Sequence, residues 1–134
     1  MRGTGRSVEL HQVAQHAHDL DRAVAFYSDV LGCEFITKID PPGLAFLRLG
    51  SVRLLLDKAA PSALIYLHVD DVRTTAESLR AAGVPIETEP HLIYTDTDGI
   101  FGEAGFDEWM AFVRDTEGNL VGLASRHALA EPTR

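Results

Sequence analysis

The sequence predicts an α+β fold built from two like modules, and three observations carry that prediction. First, the chain repeats at half length. His16-Ala17-His18-Asp19-Leu20 is matched by His68-Val69-Asp70-Asp71-Val72, with the same offset of 52 residues for the histidine and for the aspartate that opens a helix. Second, each aspartate starts an amphipathic run that stops at a glycine, Gly32 or Gly83, the N-cap and left-handed C-terminal residue of a helix. Third, short apolar runs bounded by turn residues come after each glycine, as strands do. Strand, helix and strands written twice describe two modules. Each exposes an apolar sheet face, so the two are expected in a pseudo-twofold arrangement that forms a cleft, and clefts bind small molecules.

The first strand reads from His11 to His18, with Val13, Gln15 and Ala17 on one face and Gln12, Ala14, His16 and His18 on the other. Asp19 caps a helix over 20–31 whose apolar stripe is Leu20, Ala23, Val24, Tyr27, Val30 and Leu31. Cys33 to Ile39 reads as a strand, Pro41-Pro42-Gly43 as a turn, and Leu44–Leu49 with Val52–Asp57 as a hairpin across Gly50-Ser51. Lys58 to Ser62 is a short linker. In the second module Ala63 to Asp70 is a strand, with Ile65, Leu67 and Val69 facing the helix and Leu64, Tyr66, His68 and Asp70 opposite. The helix over 72–82 buries Val72, Ala76, Leu79 and Ala82. Pro85 to Tyr94 is strand-like, and Glu108–Arg114 pairs with Asn119–Ala124 through Thr116-Glu117-Gly118. Thr95 to Asp107 interrupts the pattern with thirteen residues, three glycines, four acids and two phenylalanines. It reads equally as a lid or pocket wall and as a surface excursion.

A chain of 134 residues is one domain's worth, long enough to bury roughly two-thirds of its unfolded surface. The expected domain is 9–126, with module one at 9–57, module two at 63–126, and loose ends at 1–7 and 127–134. The formal charge is −8, from 20 acidic and 12 basic residues with no basic cluster. Nucleic acid and anionic membrane are therefore not expected as partners. No run of eighteen apolar residues is present and the N-terminus lacks a signal-peptide core, so the cytoplasm is the default compartment. The single cysteine, Cys33, excludes an internal disulfide and reads as a small buried residue rather than a nucleophile.

Two stretches give the organisation a family likeness. Asp19-Leu20-Asp21-Arg22-Ala23-Val24-Ala25-Phe26-Tyr27-Ser28-Asp29-Val30-Leu31-Gly32 and Arg114-Asp115-Thr116-Glu117-Gly118-Asn119-Leu120 resemble the first helix and the final hairpin of the vicinal oxygen chelate superfamily. That group includes glyoxalase I, methylmalonyl-CoA epimerase, extradiol dioxygenases, fosfomycin-resistance enzymes and bleomycin-binding proteins. The resemblance covers about residues 9–126. It implies a glyoxalase-like fold of paired βαβββ modules, each a curved sheet, with the cleft on the concave side. It also implies a homodimer. Fold alone does not give function, because the group holds both metal-dependent enzymes and binders.

In metal-using members the resemblance places one ligand on the first strand, here Gln12, and its counterpart in the second module, here Leu64. The last-strand ligand falls on Gly122, and the hairpin strand Val52–Asp57 carries no Glu or Gln where a ligand is expected. A divalent ion needs three or four N or O donors, so no cofactor is expected at the inherited site. A displaced site on His16, His68 and His91 is the alternative, with a divalent metal; its competitor is three cleft-lining imidazoles with local hydrogen bonds. Trp109 and Met110 alternate, so one of them faces the cleft. The candidate ligand-binding residues are therefore Gln12, His16, Tyr66, His68, His91 and Trp109. The leading functional reading is a binder of a small drug or metabolite. The alternative is a glyoxalase-, epimerase- or dioxygenase-type enzyme with a displaced metal or a metal-free histidine base. A third reading is an accessory domain with a protein partner.

Overall fold

The computed structural model describes residues 10–129. The expected loose residues 1–7 and 130–134, and Glu9 at the start of the expected domain, lie outside them. The chain divides between Ala63 and Leu64 into two compact units. In the first, β1 (Gln12–His16) leads into α1 (Leu20–Ala25), a π-helical turn (Phe26–Val30), β2 (Glu34–Ile39), β3 (Leu44–Leu49) and β4 (Val52–Asp57). The sheet order is β1-β4-β3-β2, with β1 parallel to β4 and the remaining pairs antiparallel. The second unit repeats this with β5 (Ile65–His68), α2 (Val72–Ala81), β6 (Ile86–Asp96), β7 (Phe106–Arg114) and β8 (Leu120–Ala128), in the order β5-β8-β7-β6. The α+β reading of two βαβββ modules is the architecture found. No helix among the described residues is long and apolar enough to cross a membrane.

The strand faces follow the alternation in the sequence. In unit one Leu54, Leu56, Ala45 and Leu47 are fully buried on the helix side. Gln15 shares that face at 0% exposure, and its amide donates to the Tyr27 hydroxyl at 3.4 Å. In unit two Ala111, Val113, Val121 and Leu123 play the same part under α2.

Several boundaries differ from expectation. The helix expected over 20–31 is α-helical only to Ala25 and then widens. Ser28 Oγ donates to the Val24 carbonyl at 2.8 Å, and the Leu31 N–H reaches back five residues to the Phe26 carbonyl at 3.1 Å. A side-chain hydroxyl competing for an i−4 carbonyl opens the ladder in this way. The extra residue rotates the final turn of the helix. Phe26 points inward beside Tyr27, their rings edge-to-face at 5.3 Å, while Val30 ends 40% exposed. In α2 the expected Ala82 is exposed, and Val84 just past the helix is buried instead. His127 and Ala128, placed among the loose ends, belong to β8 and pair with Asp107 and Phe106.

The thirteen-residue interruption is also shorter than expected. Thr95 and Asp96 extend β6, and Phe106 and Asp107 open β7, which leaves 97–105 as the connection. It wraps around Asp96, a carboxylate at 0% exposure. One Asp96 oxygen accepts from the Ile100 N–H at 2.8 Å. The other accepts from the Phe101 N–H at 3.0 Å and from Arg126 at 2.7 Å. Burial alone pushes this carboxyl up. The Phe101 and Ile100 amides, with Arg126, outweigh it and hold the group below the usual carboxylate range.

Candidate functional site

The face of each sheet turned away from its helix carries the polar positions named from the sequence. In unit two, strand register sorts them into rows. His68, Ala124, Met110 and His91 lie side by side across β5, β8, β7 and β6. The neighbouring row holds Tyr66, Gly122, Phe112 and Thr88. Tyr66 and His68 are thus together, about 7 Å apart along the strand. His91 shares their face but stands three strands from His68, about 14 Å across the sheet, with Met110 between them. His91 Nδ1 lies 2.9 Å from the Glu89 carbonyl.

Trp109 is not brought to this group. It pairs with Ser125 on the helix face, where Arg73 at the start of α2 stacks over its ring at 5.1 Å. Ser125 fixes that side: its hydroxyl accepts from the Val72 N–H at 3.0 Å, the first amide of α2. Only a small, helix-facing position at 125 permits this contact, so Trp109 is drawn under α2 and Met110 takes the opposite face.

In unit one the corresponding face begins with Gln12, Arg53, Arg48 and Glu34 in a single row across all four strands. The Arg53 Nε–H donates to Gln12 Oε1 at 3.0 Å, and Nη2 meets His11 Nε2 at 3.0 Å. The next row is Ala14, Leu55 and Phe46, and Arg53 lies 5.6 Å from the centre of the Phe46 ring. His16 stands beside Asp57 at the far end of β1, about 13 Å along the strand from Gln12. Gln12 and His16 therefore share a face but not a subsite. Arg53 and Phe46 were missed in the sequence because an Arg within an apolar hairpin reads as a solvated residue. Its signal is that it is directly paired with a second arginine.

The donor positions implied for a metal are differently furnished. A Cβ at Gly122 would lie 2.6 Å from one Tyr66 ring carbon, 2.9 Å from another and 3.1 Å from the Phe112 ring. Tyr66 and Phe112 meet edge-to-face at 5.8 Å over this glycine. Leu64 has no donor, and the Gln12 oxygen is engaged by a guanidinium. Within either unit, among the described residues, no three His, Cys, Asp or Glu side chains are grouped as a metal needs. His16 belongs to one unit, and His68 and His91 to the other. These residues do not fit the divalent ion of the metal-using members. Cys33 is half-buried and burial pushes its thiol up, the opposite of an activated nucleophile.

Unit one also has an open pocket of about 270 Å³ at the start of α1, bordered by His18, Asp19, Leu20, Asp21, Lys38, Asp40 and Lys58. Its cations are matched internally: Lys38 binds Asp21 at 2.7 Å and Lys58 binds Asp40 at 3.4 Å. None of the sequence-derived site residues lines it.

Comparison with known proteins agrees with this architecture. A protein named 2-epi-5-epi-valiolone epimerase, from Actinomyces sp, is 32% identical over 145 residues, covering 83% of this chain and 76% of its own length. The crystal structure of lactoylglutathione lyase from Agrobacterium tumefaciens superposes with a TM-score of 0.67 at 25% identity, over 90% of this chain and 96% of that one. A glyoxalase/bleomycin resistance protein/dioxygenase from Alicyclobacillus acidocaldarius shares the fold at 17% identity, with a TM-score of 0.62, over 87% of this chain and 90% of that one. With the family model matching residues 9–123, the chain belongs to the Glyoxalase/Bleomycin resistance protein/Dioxygenase superfamily.

Proposed function

We propose that this chain is a small-molecule-binding member of the superfamily that works without a metal. The observation that carries the reading is the filling of the donor positions. The Tyr66 ring covers Gly122, so a chelating side chain on β8 has no room without moving an aromatic pair. A guanidinium on Gln12 adds to this, because a cation beside the one remaining donor opposes a second cation there. What the faces offer instead is aromatic surface with polar edges: Tyr66, Phe112, Met110, His68 and His91 in one unit, and Phe46, Arg53 and Gln12 in the other. Such surfaces suit a ligand with a ring or apolar body and a few oxygens or nitrogens. The proposal includes a homodimer and a cytoplasmic location, both drawn from the superfamily and the composition. Light scattering on purified protein tests the dimer.

Element analysis of protein purified without a polyhistidine tag tests the central claim. The expected result is no stoichiometric transition metal. Stoichiometric metal that disappears in Gln12→Ala overturns it.

One observation favours a second reading, an enzyme: the relative from Actinomyces sp is named as an epimerase. Epimerisation removes a proton from a carbon and returns it on the other face. Without a metal, His68 or His91 is the base this chain offers. Solvent deuterium appearing in a candidate substrate, and lost in either His68→Gln or His91→Gln, would favour this reading over binding alone.

A further inference from the structure

The β1–β4–β3 row in unit one holds a cation that no acid among the described residues balances. Lys38, Lys58, Arg73, Arg80, Arg114 and Arg126 each sit on a carboxylate. Arg53 does not, among the described residues. Its two contacts are Gln12 Oε1 and His11 Nε2, neither of them a carboxylate. It is half-buried, and its register partner on β3 is a second arginine, Arg48, whose own carboxylate, Glu34, is 3.6 Å away on the far side. Like charges opposite each other on a sheet are unfavourable, and partly desolvating a guanidinium without an anion adds to that. Folding does not require this arrangement, since a neutral residue at either position would relieve it. It is the arrangement that an arriving anion would stabilise. A guanidinium's fork matches the two oxygens of a carboxylate. Gln12 and His11 take the Nε–H and one Nη2–H, which fixes the plane of the guanidinium; among the described residues Nη1 has no hydrogen bond, so its two hydrogens and the second Nη2 hydrogen remain for a carboxylate.

The neighbouring row sets what lies beyond the anion. Phe46 and Leu55 are paired with each other two residues along the strands from Arg48 and Arg53, about 7 Å away. Phe46 is close enough to Arg53 to stack against it. We infer that Arg53, held by Gln12 and His11, is the recognition site for a small organic carboxylate whose apolar or aromatic body lies on Phe46 and Leu55. The inference rests on the metal-free binding reading and deepens it: a guanidinium occupies the one remaining donor and itself supplies the positive charge for the ligand's oxygens.

The test uses phenylacetate and its uncharged amide, phenylacetamide, as probes on EDTA-treated full-length protein. NMR follows the Arg53 Nε–H resonance. Phenylacetate is expected to shift that resonance in the millimolar range, with phenylacetamide weaker by about tenfold or more. Arg53→Met is expected to lose binding by a similar factor. Arg53→Lys, which keeps the charge but not the fork, should fall between, and circular dichroism checks that both variants are folded. Equal binding of acid and amide, unchanged binding by Arg53→Met, or no shift of Arg53 by phenylacetate either with EDTA or after zinc is added overturns the inference. Two results separate it from the reading beneath it. Arg53-dependent binding that appears only after zinc is added keeps the arginine site and overturns the metal-free reading. EDTA-resistant binding indifferent to Arg53→Met does the reverse.

Discussion

At the scale of single residues, Gly122 and Tyr66 have to be understood together. The glycine is in an ordinary strand, so its use is the space it leaves for the Tyr66 ring. Gly122→Ala puts a methyl into that ring. Tyr66 is 51% exposed and can swing outward, so the cost should sit at the low end of overpacking, about 1 kcal/mol. Urea melts should show this loss, together with a change in near-ultraviolet circular dichroism as the Tyr66–Phe112 contact breaks. In a Tyr66→Ala background the same substitution should cost less, because the clash is gone; additive effects would show that the two residues are not coupled. His68 is exposed on the same face. His68→Leu should therefore change stability by less than about 1 kcal/mol, and a thermal melt checks it. A large loss would make His68 a structural residue and remove it from the site.

At the scale of elements, the 97–105 connection and α2 each depend on one polar side chain borrowed from a strand. Ser125→Ala leaves the Val72 amide unsatisfied beneath the start of α2, a loss of about 1–3 kcal/mol, measurable by chemical denaturation. Asp96 anchors its loop as a carboxylate. Because its folded pKa lies below its ordinary value, the stability it contributes is complete above that ordinary value, about 4, and is lost only as pH falls through the lower folded value. Relative to the unstructured rate at each pH, the Ile100 and Phe101 amides should therefore stay protected at neutral pH and lose protection only in acid, whereas in Asp96→Asn they should be unprotected at both. An empty protein with fast exchange at neutral pH would restore the mobile lid that the glycines suggested. Sequence could not reveal this anchor, since Arg126 is thirty residues from Asp96 and only the β6–β7–β8 register brings them together. The π turn was hidden for a related reason. The apolar stripe of α1 fits a regular helix up to Val24, and only the Ser28 hydroxyl on a backbone carbonyl shifts the register beyond it.

At the scale of the molecule, the repeat at offset 52 was enough to write both βαβββ modules, because caps, glycines and alternation are local and were all consistent. The face of each strand was equally legible for Gln12, His16, Tyr66 and His68, since alternation fixes it. It did not resolve Trp109 against Met110, where the choice is made by Ser125 on a neighbouring strand. Nor did it show Arg53 on Gln12, which lies in a parallel pairing of residues forty-one apart. That contact governs the whole-molecule prediction. A ligand that binds only the folded state stabilises it by about 4 kcal/mol at a thousand times its dissociation constant. For a chain of this size that is a rise in Tm of the order of 10 °C. Millimolar zinc, nickel, manganese or magnesium added to EDTA-treated protein should produce no such rise if the donor positions are filled as Tyr66 and Arg53 fill them. A rise of that size would show a working metal site and remove the basis for a metal-free protein.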